Sequence, residues 1–179
     1  DGKVTPKVEA GDGFTVELKA DGTVWSHGQN TYGQLGLGNT TDYNEPQKVS
    51  IIKETIKNQD GTKTNIEDTI KDISVGNNQV LALSETGKVY AWGYGEKGQL
   101  GNGSRYNQST PVVVTDIYRK QLKDIVKVEA GENVSFAITS KGKVYAWGNG
   151  YSARAQLLDL PENAIDITSK YVVTGDGKV

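Results

Sequence analysis

The chain has 179 residues, a formal net charge of −2 and a sequence pI of about 5.5. This balance supplies no basic field for a phosphate backbone, so nucleic acid is not expected as a direct partner. The chain has no Cys and no apolar run near the roughly 20 residues of a membrane-spanning helix, so we expect no metal site and no membrane insertion.

One sequence unit occurs three times, and the chain divides into repeats 8–72, 73–127 and 128–179. Each unit has three glycines, the second 11 and the third 17 residues after the first: Gly11, Gly22 and Gly28; Gly76, Gly87 and Gly93; Gly131, Gly142 and Gly148. The unit starts lie 65 and 55 residues apart, nearest the period of propeller blades. A fourth copy begins at Ile165 and stops in a turn at residues 176–177, so the chain is expected to be part of a longer array.

Each unit predicts two strands joined by a hairpin. Phe14, Val16 and Leu18 alternate with polar residues, which indicates a half-buried strand. The middle glycine stands where the turn needs a positive φ. The second strand is rich in β-branched and aromatic residues and ends with Trp92 or Trp147, whereas the first unit has His27, the only His, interpreted as a structural imidazole.

A Gly-Gln-Leu-Gly motif follows in the first two units, and its glycines are Gly33, Gly36, Gly98 and Gly101. We interpret it as a structural turn in which Leu anchors the loop in the core. In the third unit, 155–158 (Ala-Gln-Leu-Leu) is interpreted as a degenerate copy, two residues late. The segment 51–70, with Asp60-Gly61 between two polar arms, predicts a protruding insertion hairpin, and 118–124 is interpreted as a shorter equivalent.

Three features of the repeats carry a resemblance to a known family: the motif Gly-Lys-Val-Tyr-Ala-Trp-Gly at 87–93 and 142–148, Gly-Gln-Leu-Gly at 33–36 and 98–101, and the closing segments 46–49 and 111–114. The repeats resemble those of the regulator of chromosome condensation repeat family. The resemblance implies a β-propeller. We therefore predict an all-β fold in which residues 1–179 form a single propeller segment of antiparallel blades, about three blades and part of a fourth. The Lys-rich, Asn-rich composition without Met or Cys further suggests a bacterial-type member, extracellular or at the cell surface, with a cytoplasmic setting as the alternative.

The loops after the second strands carry aromatic and Arg side chains, types enriched in binding hot spots. If rotation relates the blades, these loops share one rim. The predicted partner-binding residues are Tyr32, Tyr43, Tyr94, Arg105, Tyr106, Tyr151 and Arg154.

No catalytic constellation is evident, because the single His lies in a strand and no Cys nucleophile exists. Glu9 and Glu129 are one position in two repeats and not an acid pair. We therefore expect a non-catalytic protein-interaction module without a cofactor. Two alternatives remain open: a guanine nucleotide exchange factor for a small GTPase, which the resemblance implies, and a purely structural repeat of a surface protein. Two chains could also associate to close a ring.

Overall fold

The computed structural model describes residues 4–160, 163–167 and 172–174, and the regular structure of these residues is entirely β. Blade 1 contains β1 (Lys7–Ala10), β2 (Phe14–Leu18), β3 (Val24–Gly28) and β4 (Tyr43–Val49). A separate hairpin contains β5 (Ile52–Lys57) and β6 (Lys63–Glu67). Blade 2 contains β7 (Ile70–Val75), β8 (Gln79–Ser84), β9 (Val89–Gly93) and β10 (Gln108–Val113). Blade 3 contains β11 (Ile125–Ala130), β12 (Val134–Thr139), β13 (Val144–Gly148) and β14 (Gln156–Leu157). A two-stranded sheet of β15 (Ala164–Ile167) and β16 (Val172–Thr174) follows.

Each of the three blades is a four-stranded antiparallel meander in chain order, and consecutive blades pack face to face. The predicted all-β fold with antiparallel propeller blades is thus confirmed. The turn predicted at residues 176–177 lies outside the described residues. None of the described elements is a helix long and apolar enough to cross a membrane.

The hairpin between β2 and β3 forms because a short polar side chain closes the turn. The Asp21 carboxylate accepts hydrogen bonds from the Thr23 amide (3.0 Å) and hydroxyl (2.6 Å). Gly22 has a φ of 80°, a conformation that glycine adopts without steric penalty. The equivalent Gly87 and Gly142 have φ values of 84° and 75°, so the predicted hairpin turns are confirmed in all three blades.

The core lies between the blades, and blade 2 is buried on both faces. In β2, Phe14, Val16 and Leu18 are buried as predicted, while the intervening side chains are half-exposed. Every residue of β8 is buried, and in β12 Ser135 and Ala137 are buried as well as Phe136. The prediction of half-buried strands was therefore wrong for blades 2 and 3, because a blade between two neighbours has no solvent-facing side.

Blade 1 has one face that no described blade covers. Val8 is 65% exposed, whereas its equivalents Ile73 and Val128 are buried against the preceding blade. The same face carries Thr15 and Glu17, at positions where blade 2 has buried aliphatic residues. This free face therefore carries polar side chains at two positions that are aliphatic in the interface of blade 2.

The glycine that opens each of the first two repeats is required by the close approach of neighbouring inner strands. A Cβ on Gly11 would lie 2.8 Å from the Gly76 carbonyl oxygen, and a Cβ on Gly76 would lie 2.5 Å from the Gly131 oxygen. Real Cβ atoms do not approach oxygen so closely. Gly11 and Gly76 thus allow the inner strands of neighbouring blades to approach one another closely.

Polar side chains fix the alignment of one inner strand against the next. The Glu9 carboxylate accepts a hydrogen bond from the Val75 amide at 3.0 Å, and the Ser74 hydroxyl accepts one from the Ala130 amide at 2.8 Å. Glu9 and Ser74 occupy equivalent repeat positions. At both interfaces, therefore, a side-chain oxygen of one inner strand accepts a hydrogen bond from a backbone amide of the next, although the residue types differ.

The polar insertion forms the β5–β6 hairpin, with Gly61 at a φ of 86° in its turn. The flanking Ile51 and Ile70 are buried in the blade core, so the protruding part is shorter than 51–70. Lys48 and Glu67 join the hairpin to blade 1 by an ion pair of 2.6 Å. Because both side chains are substantially exposed, this pair contributes at most about 1 kcal/mol to stability.

The interpretation of 155–158 as a degenerate Gly-Gln-Leu-Gly motif was wrong. Leu157 pairs with Tyr145 in β14 and β13, just as Val113 pairs with Tyr90 in blade 2. The segment is therefore the outer strand of blade 3, equivalent to the closing segments of the first two blades.

The third blade lacks the long loop that precedes the outer strand in the first two blades and has a short connection in its place. Val114 follows Gly93 by 21 residues, whereas the equivalent Leu158 follows Gly148 by only 10. The Leu158 amide nevertheless donates to a β13 carbonyl at 2.8 Å, so the strand register is retained. The deletion removes the loop and leaves the sheet intact.

Candidate protein-binding surface

One end of every blade carries the long connections, and we call it the loop face. In blade 1, Phe14 and Tyr43 both pair with Gly28, so the 11–13 turn and the 29–42 loop leave the sheet at the same end. The opposite end carries the β2–β3 turn, and we call it the turn face. The two faces are separated by the length of the strands.

Blade 2 repeats this arrangement. Gln79 and Gln108 both pair with Gly93, which places the 94–107 loop on the loop face beside its counterpart from blade 1. The predicted rim is therefore formed by two long loops and the short connection of blade 3.

The first long loop is fastened to blade 2 by a buried tryptophan. The Trp92 indole N–H donates to the Gln34 carbonyl oxygen at 3.0 Å, and Leu35 is completely buried, as the predicted anchor. Gly33 and Gly36 have φ values of 76° and 71°, and a Cβ on Gly36 would lie 2.8 Å from the indole nitrogen. The Gly-Gln-Leu-Gly motif is thus the structural turn that the sequence predicted, and it packs on the next blade.

The second long loop is fastened to blade 3 by the same contact and one more. The Trp147 indole donates to the Gln99 carbonyl oxygen at 2.9 Å, and the Ser135 hydroxyl donates to the same oxygen at 2.8 Å. Leu100 is completely buried, and Gly98 has a φ of 82°. Both loops are therefore held by the blade that follows them.

Tyr32 and Tyr94 form an aromatic pair between these loops. Their ring centroids lie 5.1 Å apart with the planes inclined at 67°, an edge-to-face arrangement. The Tyr94 hydroxyl donates to the Glu96 carboxylate at 3.1 Å, and this hydrogen bond raises the pKa of Tyr94. The Tyr32 amide donates to the Gln34 side-chain oxygen at 2.8 Å. The pair joins blades 1 and 2 at the surface.

Arg105 and Tyr106 lie at the exposed part of the second loop. Tyr106 is 79% exposed, and its amide donates to the Ser104 hydroxyl at 3.1 Å. Arg105 is also exposed and makes no ion pair with any described residue. Both side chains are accessible to a partner on the loop face.

The other three predicted residues are engaged within the protein. Tyr43 packs against the core between blades 1 and 2. Tyr151 lies edge-to-face with Phe136 at 6.2 Å between centroids, and Arg154 donates to the Thr115 hydroxyl. All three side chains are half-buried, and these contacts are with residues other than Tyr32 and Tyr94.

Sequence reasoning missed Asn30, which organises the first loop. Asn30 is completely buried, and its side-chain nitrogen donates to the carbonyl oxygens of Asn39 (3.0 Å) and Thr41 (2.9 Å). Its side-chain oxygen accepts from the Leu35 amide at 3.0 Å. The only signal for this role was the Asn-rich character of the loop, which is too common to single out one residue.

The β1–β2 turns and their equivalents bring Asp12, Asn77 and Glu132 around a shallow polar depression of about 540 Å³ at the centre of the loop face. The Asp12 amide donates to the Asn77 carbonyl at 2.8 Å. Within the described ranges, no three His, Cys, Asp or Glu residues are grouped so that they could hold a metal ion. His27 is half-buried in β3 opposite Thr15.

Comparison with known proteins identifies the repeat. Residues 21–83 and 86–138 match the family described as Regulator of chromosome condensation (RCC1) repeat, and a second description of that repeat matches residues 70–99 and 125–153. The chain belongs to the RCC1 repeat family. The sequence resemblance and the observed blades therefore agree.

Two curated relatives and one solved structure illustrate the similarity. Human E3 ubiquitin-protein ligase HERC2 is 32% identical over 155 residues, covering 86% of this chain and 3% of the relative. The X-linked retinitis pigmentosa GTPase regulator of Canis lupus familiaris is 29% identical over 167 residues, covering 93% of this chain and 15% of the relative. This RCC1 repeat chain thus spans a small part of each.

The crystal structure of Prp20p from Saccharomyces cerevisiae superposes with a TM-score of 0.54 and 19% identity over 95% of this chain and 55% of that chain. At this identity the likeness concerns the fold. It supports the description of the three blades as part of an RCC1-type propeller.

Proposed function

We propose that this chain is a non-catalytic protein-interaction module that binds its partner through the loop face. The observation that carries the proposal is the edge-to-face pair of Tyr32 and the half-buried Tyr94, with the exposed Tyr106 on the same loop face. Tyrosine buries a large area at a low entropic cost, because it has few rotatable bonds, and is therefore frequent at the centre of interfaces.

The rigidity of the loops supports this proposal. Each long loop is held by a buried indole hydrogen bond from the next blade, so it does not need to be ordered when a partner binds. Ordering side chains and loops on association costs free energy, and a preformed surface avoids much of that cost.

Prp20p is described by its binding properties to Gsp1p and histones, which gives an example of protein binding by a protein of this fold. The human and canine relatives are eukaryotic and give no support to the bacterial-type subtype. A bacterial origin and an extracellular or cell-surface setting therefore rest on composition alone. The ligase activity named for HERC2 is not proposed for this chain.

The test compares the loop face with an exposed apolar residue that lies outside it. Tyr106 is 79% exposed on the loop face, and Ile56 is 45% exposed on the β5–β6 hairpin. Proteins captured from a source lysate by the wild-type chain are compared with those captured by Tyr32→Ala/Tyr94→Ala, Tyr106→Ala and Ile56→Ala. Loss of a hot-spot side chain costs about 2 kcal/mol or more, so we expect at least a tenfold weaker capture for the loop-face variants only. Equal capture by all variants, or equal loss with Ile56→Ala, would contradict the proposal.

An exchange factor for a small GTPase is the second candidate, because one relative is described as a GTPase regulator. In that case the chain should accelerate the release of a fluorescent guanine nucleotide from at least one member of a panel of small GTPases. Unchanged release rates across the panel would eliminate this candidate and leave the binding proposal untouched.

A further inference from the structure

A groove on the turn face, between blades 2 and 3, combines exposed apolar side chains with lysines. It is built by the 115–124 segment, which is attached to the outer strand of blade 3. The Ala155 amide donates to the Thr115 carbonyl at 2.9 Å, and the Ile117 amide donates to the Ala155 carbonyl at 3.0 Å. These two bonds hold the segment against β14 and shape the groove.

The apolar part of the groove is formed by side chains that line one depression together. Ile117 is 50% exposed, Tyr118 77% and Leu157 55%, and the half-buried Tyr145 lines the same part of the groove. Single exposed apolar residues are normal, whereas a contiguous group of them often marks an interaction site. This part of the groove has a volume of about 310 Å³.

The adjoining part of the groove, about 360 Å³ in volume, is lined by four exposed lysines, which are Lys120, Lys123, Lys141 and Lys143. None of them makes an ion pair with another residue in the described part of the chain. The groove also contains Asp116 and Asp124. One Asp116 oxygen accepts hydrogen bonds from the amides of Tyr118 (2.9 Å) and Lys120 (3.0 Å). The positive charges therefore exceed the negative ones in a chain that is acidic overall.

We propose that this basic groove binds an acidic segment of a partner protein that also carries an apolar side chain. The lysines complement carboxylates, and the Ile117–Tyr118–Leu157 surface accepts an aliphatic or aromatic residue. A nucleic acid fits less well, because the groove contains two carboxylates, has no arginine, and offers an apolar wall that a phosphate backbone would not use.

The basic groove is independent of the loop face. Lys141 lies in the turn between β12 and β13, at the same end of the blades as Gly22, whereas the tyrosine pair lies at the other end. The groove proposal therefore does not rest on the proposed function, and the two surfaces could be occupied together.

The experiment measures the fluorescence anisotropy of a labelled peptide of about ten residues, mostly glutamate with one leucine and one tyrosine. Two other probes, an all-glutamate peptide of the same length and a single-stranded DNA oligonucleotide, are titrated in parallel. We expect the mixed peptide to bind best and its affinity to fall with added salt, because exposed charges are screened. Stronger binding of the DNA, equal binding of the all-glutamate peptide, or no binding of the mixed peptide would overturn the proposal.

Two charge-reversal variants separate the groove from general electrostatics. Lys120→Glu/Lys141→Glu changes the groove, and Lys57→Glu/Lys63→Glu makes the same change in net charge on the β5–β6 hairpin. All four lysines are exposed, so both variants should fold like the wild type. We expect the groove variant to bind the mixed peptide about tenfold more weakly and the hairpin variant to bind within about twofold of wild type. Equal losses in both variants would refute a specific site.

The apolar contribution is tested by Tyr118→Ala, with Tyr106→Ala on the loop face as its matched control. We expect weaker binding of the mixed peptide for Tyr118→Ala and unchanged binding for Tyr106→Ala. The reverse result would assign the peptide to the loop face and overturn the groove proposal. Lysate capture by the loop face is tested with Tyr106→Ala and peptide binding by the groove with Tyr118→Ala, so failure of one proposal is distinguishable from failure of the other.

Discussion

Replacing the two docking tryptophans by phenylalanine should have unequal effects on stability. Trp92 and Trp147 are both completely buried, and each donates an indole hydrogen bond to a carbonyl of the preceding loop. The two substitutions remove the same atoms, so the losses of packing are expected to be similar. The difference lies in the acceptor that each substitution leaves behind.

The structure gives the size of that difference. After Trp92→Phe, the Gln34 carbonyl loses the one donor that the described hydrogen bonds provide for it. A buried acceptor without a partner costs about 1–3 kcal/mol. After Trp147→Phe, the Gln99 carbonyl keeps the Ser135 hydroxyl at 2.8 Å. Trp92→Phe should therefore reduce the free energy of unfolding by about 1–2 kcal/mol more than Trp147→Phe does.

Urea unfolding followed by far-ultraviolet circular dichroism measures this difference. This signal reports the β-structure of the backbone and is suitable because each variant lacks one of the two docking tryptophans. For a chain of this size, a difference of about 1 kcal/mol corresponds to about 2–4 °C in Tm. Removing the second donor, in Ser135→Ala/Trp147→Phe, should bring the loss close to that of Trp92→Phe. Equal losses for the two single variants, or no further loss in the double variant, would refute the reasoning about the carbonyl acceptors.

Two further predictions concern charge. Burial raises the pKa of Glu129, so its ionisation opposes folding as the pH rises through the folded-state pKa. Glu129→Gln should therefore raise Tm at pH 7, with the gain vanishing below the usual glutamate pKa of about 4.3. Glu9→Gln should instead lower Tm, because a neutral side chain accepts the hydrogen bond of the Val75 amide more weakly than the carboxylate does and loses the ion pair with Lys7 at 3.5 Å. A Tm gain for both variants would contradict this. On the free face of blade 1, Thr15→Val/Glu17→Ala should increase self-association, because association of two wild-type chains through this face would bury the unpaired charge of Glu17, which is unfavourable. Light scattering over a concentration series measures this. A wild-type dimer that the variant does not strengthen would contradict the prediction.

The features predicted from the sequence are those fixed by contacts close along the chain. A hairpin turn depends on Asp21, Gly22 and Thr23 alone, so its pattern is visible in each repeat. The alternation of apolar and polar residues from Phe14 onwards likewise depends on one strand alone, because it predicts which side of that strand is buried. The family resemblance added the arrangement of the blades, which no local pattern supplies.

The features that were missed depend on the neighbouring blade. Ser135 is polar, and only the packing of blade 3 against the loop of blade 2 shows that it is buried and donates to Gln99. The prediction for 155–158 was wrong because Ala-Gln-Leu-Leu resembles Gly-Gln-Leu-Gly in residue type but belongs to the outer strand of blade 3. Leu158 follows Gly148 by only 10 residues, which is too few for both the long loop and the outer strand. Because β13 needs an outer strand as its partner, this short distance was the available signal that the segment is the outer strand.

The docking contacts also determine how far the candidate surface extends. The long loops on the loop face carry Tyr32 and Tyr94, and an indole of the following blade holds each loop in place. Blade 3 has no such loop, so its short connection packs the half-buried Tyr151 against Phe136. The proposed partner site is therefore confined to the loops of blades 1 and 2. On the turn face, by contrast, the short outer strand of blade 3 leaves Leu157 exposed, and the basic groove forms there.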